Sequence, residues 1–314
     1  MTAATITGIG TAIPEARLTN ADLEARLDTS DEWIVARTGI RERRVAAPSE
    51  TSGTLAVEAS AGAIKDAGLV PDDVDLLVVA TTTPDQALPQ TSALVHEGLG
   101  LRCGAFDVGA ACAGFVHALV VGATLLDAGD LDAVVVVGSE TLTRIVDPED
   151  RATAPLFGDG AAAVVLRPAA PGYGLQAWDL GCDGSASGIL AVPAGERFIR
   201  MEGQEVFRRA VRAVIASADN ALRAAGLRAA DVNLFVPHQA NARIIAMAGG
   251  RLGIAPERTM INVDRYGNTS AASVPLALAE AVDDGRVREG DLVLLSGFGA
   301  GMTWASAVLR WGGI

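Results

Sequence analysis

Three residues in this chain carry side chains suited to one covalent mechanism: Cys112, His238 and Asn268. Cys112 lies in DVGAACAGF, residues 107–115. The apolar run before it, ending at Phe106–Val108, has the character of a buried strand. The run after it, FVHALVVGATLLDAG, has helical length and ends at a glycine. A thiol at a helix start faces unpaired N–H groups and the positive end of the dipole, so a depressed pKa and selective alkylation are expected. The small Ala and Gly neighbours leave room for a substrate. The plainer alternative is a small buried hydrophobe, the usual role of a free cysteine. His238 follows the apolar run Leu234–Val236, at the strand end where α/β sheets place chemistry. Of the other histidines, His117 is five residues after Cys112 on one helix, roughly 140° around it. His96 lies in an ordinary amphipathic stretch. Asn268, in RYGNTSAAS (265–273), is either a turn residue or an amide donor to a developing oxyanion. GFGAGMTW (297–304) is a Gly-rich turn between strands, either a tight hairpin or a set of backbone N–H groups facing a ligand.

The elements that must position these groups repeat. Residues 67–78 read AGLVPDDVDLLV and residues 225–236 read AGLRAADVNLFV, an offset of 158. GDLDAVVVVGSE from Gly129 resembles GDLVLLSGFG from Gly290, and FGDGAAAVVLR from Phe157 resembles FGAGMTWASAVLR from Phe298. Three matches in one order imply a duplicated α/β unit of about half the chain. The halves are 1–168 and 175–314, joined by the Pro- and Gly-rich segment Arg167–Gly174. Strands are expected at Ala4–Gly10, Leu76–Ala80, Gly104–Val108, Ala133–Val137 and Ala161–Leu166. Helices are expected at Leu55–Ala67, at Thr91–Gly98 and after Cys112, with a further surface helix and loop within Glu32–Arg44. Nearly all the strands are apolar, as in sheets covered by helices on both faces.

Composition narrows the class. The 314 residues are half hydrophobic but only 4% aromatic, so Ala, Val, Leu and Ile must build the core. A net charge of −13 argues against nucleic acid or an anionic membrane as the main partner. Cys103, Cys112 and Cys182 are odd in number and lack CxxC spacing, which disfavours a disulfide framework or a metal site and fits a reducing cytoplasm. The N-terminus lacks the features of a signal peptide. The longest apolar stretch, near 115–126, contains His117 and is too short to span a bilayer. Two dinucleotide-like fingerprints fail: GDGAAA at Gly158 runs into a strand, and GIGTAI at Gly8 lacks its third glycine.

Taken together, DEWIVARTGI (31–40), CAGF (112–115), FGDGAAAVVL (157–166), MEGQEVF (201–207), HQANARI (238–244), RYGNTSAASVPLAL (265–278) and GFGAGMTW (297–304) resemble β-ketoacyl-acyl carrier protein synthase III over nearly the whole chain. The resemblance implies a thiolase fold, a five-layered αβαβα duplication, in a cytoplasmic homodimer without a cofactor. It implies that Cys112 takes an acyl group from acyl-CoA, with the backbone N–H groups of Cys112 and Ala300 holding the oxyanion. His238 and Asn268 then stabilise the enolate formed as malonyl-acyl carrier protein loses CO₂. It also assigns Thr29, Trp33, Arg37, Arg151 and Asn241 to CoA, with adenine sandwiched by Trp33 and Arg151. Leu88, Leu142, Phe157 and Ile189 fall to the acyl pocket. An acidic carrier protein requires a basic patch, for which Arg208, Arg243 and Arg251 are the candidates, with Arg212 one helical turn beyond Arg208. Ala300 stands where many members have Gly, Leu88 where some have a Phe that closes the partner subunit's pocket, and the loop 190–200 is shorter than in some members. The alternative on the same fold is an acyltransferase of specialised metabolism that uses another acceptor.

Overall fold

The computed structural model describes residues 3–129 and 131–313. Its main strands are β1 (Ala4–Ala12), β2 (Leu76–Ala80), β3 (Gly104–Val108), β4 (Val134–Thr141), β5 (Asp159–Pro168), β6 (Gly174–Cys182), β7 (Leu234–Pro237), β8 (Leu292–Gly299) and β9 (Thr303–Arg310). Its main helices are α1 (Asp31–Thr38), α2 (Ser52–Asp66), α3 (Thr91–Leu99), α4 (Gly114–Ala128), α5 (Gly203–Ala224), α6 (Ala242–Leu252) and α7 (Ser273–Asp283). The first sheet has the order β1-β5-β4-β2-β3 and the second β6-β9-β8-β7.

The two sheets repeat one pattern. The pair β2/β4 is parallel, as is β7/β8, while β4/β5 and β1/β5 are antiparallel, as are β8/β9 and β6/β9. Leu76 pairs with Val134 and Leu234 with Val293, so the strand offsets are 234 − 76 = 158 and 293 − 134 = 159. The sequence match at Gly129 and Gly290, offset by 161, therefore lies two residues out of the structural register.

Five layers result. Helix α2 covers the outer face of the first sheet, α4 and α7 lie between the sheets, and α5 and α6 cover the second. All five residues of β2 and all eight of β4 are buried, which explains the apolar runs Leu76–Ala80 and Val134–Val137. Helix α4 with its preceding turn, Ala111–Ala128, is long and apolar enough to cross a membrane by length and composition, contrary to the expectation of a stretch too short. Here it packs against both sheets, so its hydropathy reflects burial from two sides. The GIGTAI segment belongs to β1, where a side chain at Gly10 would meet Ala59 O at 2.2 Å and one at Gly8 would meet Ala63 O at 2.4 Å. These glycines let α2 approach the strand backbone. Arg167 and Pro168 belong to β5 and Gly174 opens β6, leaving 169–173 as the connection. Strand β6 was not legible in the sequence. It is a sheet edge with Trp178 and Leu180 exposed, so no clean apolar run marks it.

Candidate active site

Cys112 sits in a single turn of 3-10 helix, Ala111–Ala113, that leads into α4. Ala111 is held at φ 47°, a left-handed conformation that costs a non-glycine residue roughly 1–3 kcal/mol. Cys112 lines a cleft of about 720 Å³. The thiol is not acidic as the sequence suggested. Burial pushes Cys112 up to about 12, and the negative charge of Glu140 adds to the shift. The dipole of α4 opposes this, but a desolvated thiol among Ala and Gly neighbours remains protonated.

His238 follows β7, held by its backbone N–H on Ser296 O at 2.7 Å. Its Nδ1 lies 2.5 Å from Ser273 Oγ at the start of α7, and the same hydroxyl oxygen accepts from Gln239 N at 3.2 Å. With Gln239 N–H already on that oxygen, we assign the Ser273 O–H as the donor to Nδ1, which puts the ring proton on Nε2. The ring packs edge-on to Phe298, with centroids 5.0 Å apart. Burial lowers its pKa to about 3, so the imidazole is neutral and acts as an N–H donor. Gln239 fixes the segment by donating to Pro237 O and accepting from Asn262 N. Neither Ser273 nor Gln239 was singled out from sequence, although both fall inside quoted motifs.

Asn268 is anchored by Asn268 N to Leu156 O at 2.8 Å and Gly158 N to Asn268 O at 3.0 Å. Its Oδ1 accepts from Ser270 N at 2.9 Å, which leaves the amide NH₂ as the free donor. Cys112, His238 and Asn268 all line the one cleft. Phe298 and Gly299 line it too, and the turn 300–302 follows them. A side chain at Gly299 would meet Cys112 N at 2.5 Å, so the turn backbone lies against the nucleophile. Thr303 Oγ1 ties the two loops, 2.9 Å from Ala110 O and 3.1 Å from Ala300 O. The positive φ of this turn falls on Gly301 (128°), not Ala300, so alanine fits at 300 without strain.

Trp33, Arg37, Arg151, Asn241 and Arg243 line the same cleft. The guanidinium of Arg37 lies 4.4 Å from the Trp33 ring centroid and that of Arg151 lies 4.6 Å from it. Arg151 is thus stacked directly on the indole, and the expected adenine sandwich is closed. The amide of Asn241 is used within the protein, donating to Arg37 O and accepting from Arg243 N. Thr29 does not line the cleft.

A smaller cavity of about 230 Å³ adjoins Cys112, with Leu142, Phe157, Leu190, Ser270 and Ala300 in its wall. Ile189 is not in that wall: it packs with Ala186, Val206 and Met302, and its neighbour Leu190 faces the cavity instead. Leu88 is 76% exposed and lies outside both cavities. Arg208 is bound by Glu205, and Arg209 by Glu205 and Asp183, so the α5 cations are partly neutralised. Arg243 and Arg251 are exposed on α6, with the half-exposed Met247 between them at helical spacing.

A duplicated αβαβα fold with a Cys, a His and an Asn converging on one cleft defines a thiolase-fold condensing acyltransferase. Two models of the 3-oxoacyl-[acyl-carrier-protein] synthase III family match the chain, one over residues 106–184 and its C-terminal counterpart over 222–311. The β-ketoacyl-[acyl-carrier-protein] synthase III of Symbiobacterium thermophilum is 47% identical over 98% of both chains. The solved structure of the Thermus thermophilus synthase III is 49% identical with a TM-score of 0.94, covering 99% of this chain and 100% of that one. The priming β-ketosynthase of the R1128 polyketide pathway is 39% identical with a TM-score of 0.92, over 99% and 97%. The chain belongs to the β-ketoacyl-acyl carrier protein synthase III family.

Proposed function

We propose that this chain condenses an acyl-CoA starter with malonyl-acyl carrier protein, releasing CO₂ and CoA. The observation that carries this is the division of the cleft. One protonated thiol lies beside a small apolar cavity, and two neutral N–H donors, His238 Nε2 and the Asn268 amide, face the same space. Donors aimed where an enolate oxygen develops stabilise it as CO₂ leaves, without taking a proton from the substrate. In the first half-reaction Cys112 attacks the thioester, with the N–H groups of Cys112 and Ala300 holding the oxyanion. In the second, the enolate attacks the acyl-Cys.

Coenzyme A enters past Trp33, Arg37 and Arg151, with Arg151 swinging off the indole to admit adenine; its ion pair to the fully exposed Asp28, at 3.9 Å, is weak enough to break. No further cofactor is required. The 230 Å³ cavity lies below the roughly 300–1,000 Å³ of drug-sized pockets and suits a short acyl chain. The carrier protein docks on Arg243 and Arg251, with Arg208 contributing once released from Glu205. A homodimer is supported by the open edge of β3, which is only partly covered, and by exposed Leu88. The two halves, 1–168 and 175–314, descend from one duplicated unit. The likeness to a polyketide priming ketosynthase leaves polyketide initiation as a second use of the same chemistry. The test is mass spectrometry of Cys112 after exposure to a panel of short acyl-CoAs, then of the carrier protein after addition of its malonyl form. An unmodified Cys112, or no 3-oxoacyl product, would overturn the reading.

A further inference from the structure

Glu140, at the end of β4, is fully buried, and among the described residues no cation lies within salt-bridge distance. Its carboxylate is held by hydroxyl and backbone donors instead. It accepts from Thr82 N at 3.0 Å, Thr82 Oγ1 at 2.9 Å, Thr83 Oγ1 at 2.6 Å, Thr81 Oγ1 at 3.3 Å and Ala271 N at 3.4 Å. Burial raises its pKa. A buried carboxylate held without a cation is costly, and the condensation chemistry assigned to His238 and Asn268 makes no use of it.

Ser270 joins this group to the nucleophile. It is 1% exposed and held at φ 47°, and its Oγ is buried with no hydrogen-bond partner. An orphaned hydroxyl in a strained turn is unusual and calls for a use. Its turn, Ser270–Ala272, packs on the Cys112 turn: a side chain added at Gly114 would meet Ala271 Cβ at 3.7 Å. Ser270 and Cys112 share the wall of the small cavity. The hydroxyl favours the ionised form of both Cys112 and Glu140, yet reaches hydrogen-bond geometry with neither. The other groups packed on this end of β4 cannot replace it. Asp159 on β5 accepts from Ala46 and Thr143, His117 on α4 is bonded to Ala113 O, and Ser52 contacts Thr83 and Thr141.

We propose that Ser270 and Glu140 relay the Cys112 proton through the catalytic cycle, with Ser270 Oγ taking the thiol proton as its own passes to the Glu140 carboxylate. The proposal rests on the condensation reading, and the protons balance within it. In acylation the S–H bond of Cys112 breaks, its S–C(acyl) bond forms and CoA leaves as a thiolate, with the proton stored on Glu140. In condensation the enolate carbon displaces Cys112 as a thiolate, which recovers that proton through Ser270. The CoA thiolate takes one proton from solvent, the single proton consumed per turnover. Neutral His238 need not act as base at any step.

The test measures Cys112 acylation by acetyl-, butyryl- and isobutyryl-CoA by rapid mixing and mass spectrometry between pH 5 and 10, in parallel with decarboxylation of malonyl-acyl carrier protein. Ser270→Ala keeps the backbone N–H that holds Asn268 and removes only the hydroxyl. It should acylate about 10²-fold more slowly while decarboxylating near the wild-type rate. Glu140→Gln should slow acylation similarly and abolish the acid limb of its pH profile, and Glu140→Asp should recover part of the rate. The sign is diagnostic. Glu140 raises the Cys112 pKa, so removing its charge would speed acylation if electrostatics alone were at work. Wild-type acylation rates in Ser270→Ala, or equal losses in both half-reactions, would overturn the relay alone. A wild-type enzyme acylated by none of the three CoA esters would overturn the condensation reading and the relay together.

Discussion

Ala111 and Ser270 are held in the same left-handed backbone geometry, φ 47° each, and each opens a turn of 3-10 helix that runs into a central helix. They are 159 residues apart, the same offset as β4 and β8. At this offset the residue after Ser270, Ala271, stands where Cys112 stands in the first half, and Asn268 stands where Gly109 does. The strained turn is thus built twice and used differently. One copy presents the nucleophile; the other presents Asn268 and the orphaned hydroxyl.

In the proposed reaction Asn268 serves the enolate and not the acyl transfer. Asn268→Ala should accept an acyl group from CoA near the wild-type rate and lose about 10²–10³ in malonyl decarboxylation. Separate assays of the two half-reactions check this, and a variant that condenses normally would refute the role.

A Cys112 pKa near 12 means that alkylation should be slow at neutral pH. The rate of iodoacetamide labelling at Cys112 should still be rising at pH 10, with exposed Cys182 labelled faster at pH 7 and inactivation tracking Cys112 alone. A plateau below pH 7 would show that the α4 dipole outweighs burial.

We assign Ser273 the role of setting the His238 tautomer. Ser273→Ala removes the donor to Nδ1 and lets the proton occupy either nitrogen. Decarboxylation should fall about tenfold or more, as when an orienting partner of a working imidazole is lost, with acylation nearly unchanged. Equal rates in both half-reactions would assign Ser273 to the fold only.

His238 also links protons to stability. Its folded pKa is depressed to about 3 from the ordinary 6.5, so the unfolded chain binds the extra proton between those values. Its contribution is present above pH 6.5 and is lost as pH falls, with a slope of at most about 1.4 kcal/mol per pH unit. Denaturant titrations from pH 7 to 4 should show a shallower fall for His238→Asn than for wild type.

Arg243 is an exposed cation lining the cleft, stacked 5.5 Å from the Phe207 ring centroid, whereas Arg208 is tied to Glu205. Arg243→Glu should slow reaction with malonyl-acyl carrier protein about tenfold at low salt and flatten its salt dependence, with acylation by acyl-CoA changing much less. Equal losses would place Arg243 in the shared tunnel.

What the sequence revealed and what it hid have separate physical causes. The strand runs of β2 and β4, the turn at Cys112 and the strand end before His238 were legible because burial and chain reversal constrain residue type at those positions. The Cys112 pKa was misjudged because helix position is local in sequence whereas desolvation comes from distant elements. Glu140 and its three threonines drew no reading from the sequence, since nothing in sequence says that a carboxylate lies inside. Ile189 was misplaced because its direction is set by packing against Ala186, Val206 and Met302, which only the three-dimensional structure shows.

Strand β1 pairs with β5, so Thr5 meets Arg167 across 162 residues of chain. On a ribosome adding roughly 5–20 residues per second, β1 waits on the order of ten seconds or more for its partner. When β5 arrives, the face of α4 that packs on β8 and β9 is still bare, because those strands lie near the other end of the chain. The nascent first half therefore displays the most apolar helix in the protein to the surrounding solution. Its safe passage depends on chaperone cover or on the speed with which the last strands follow.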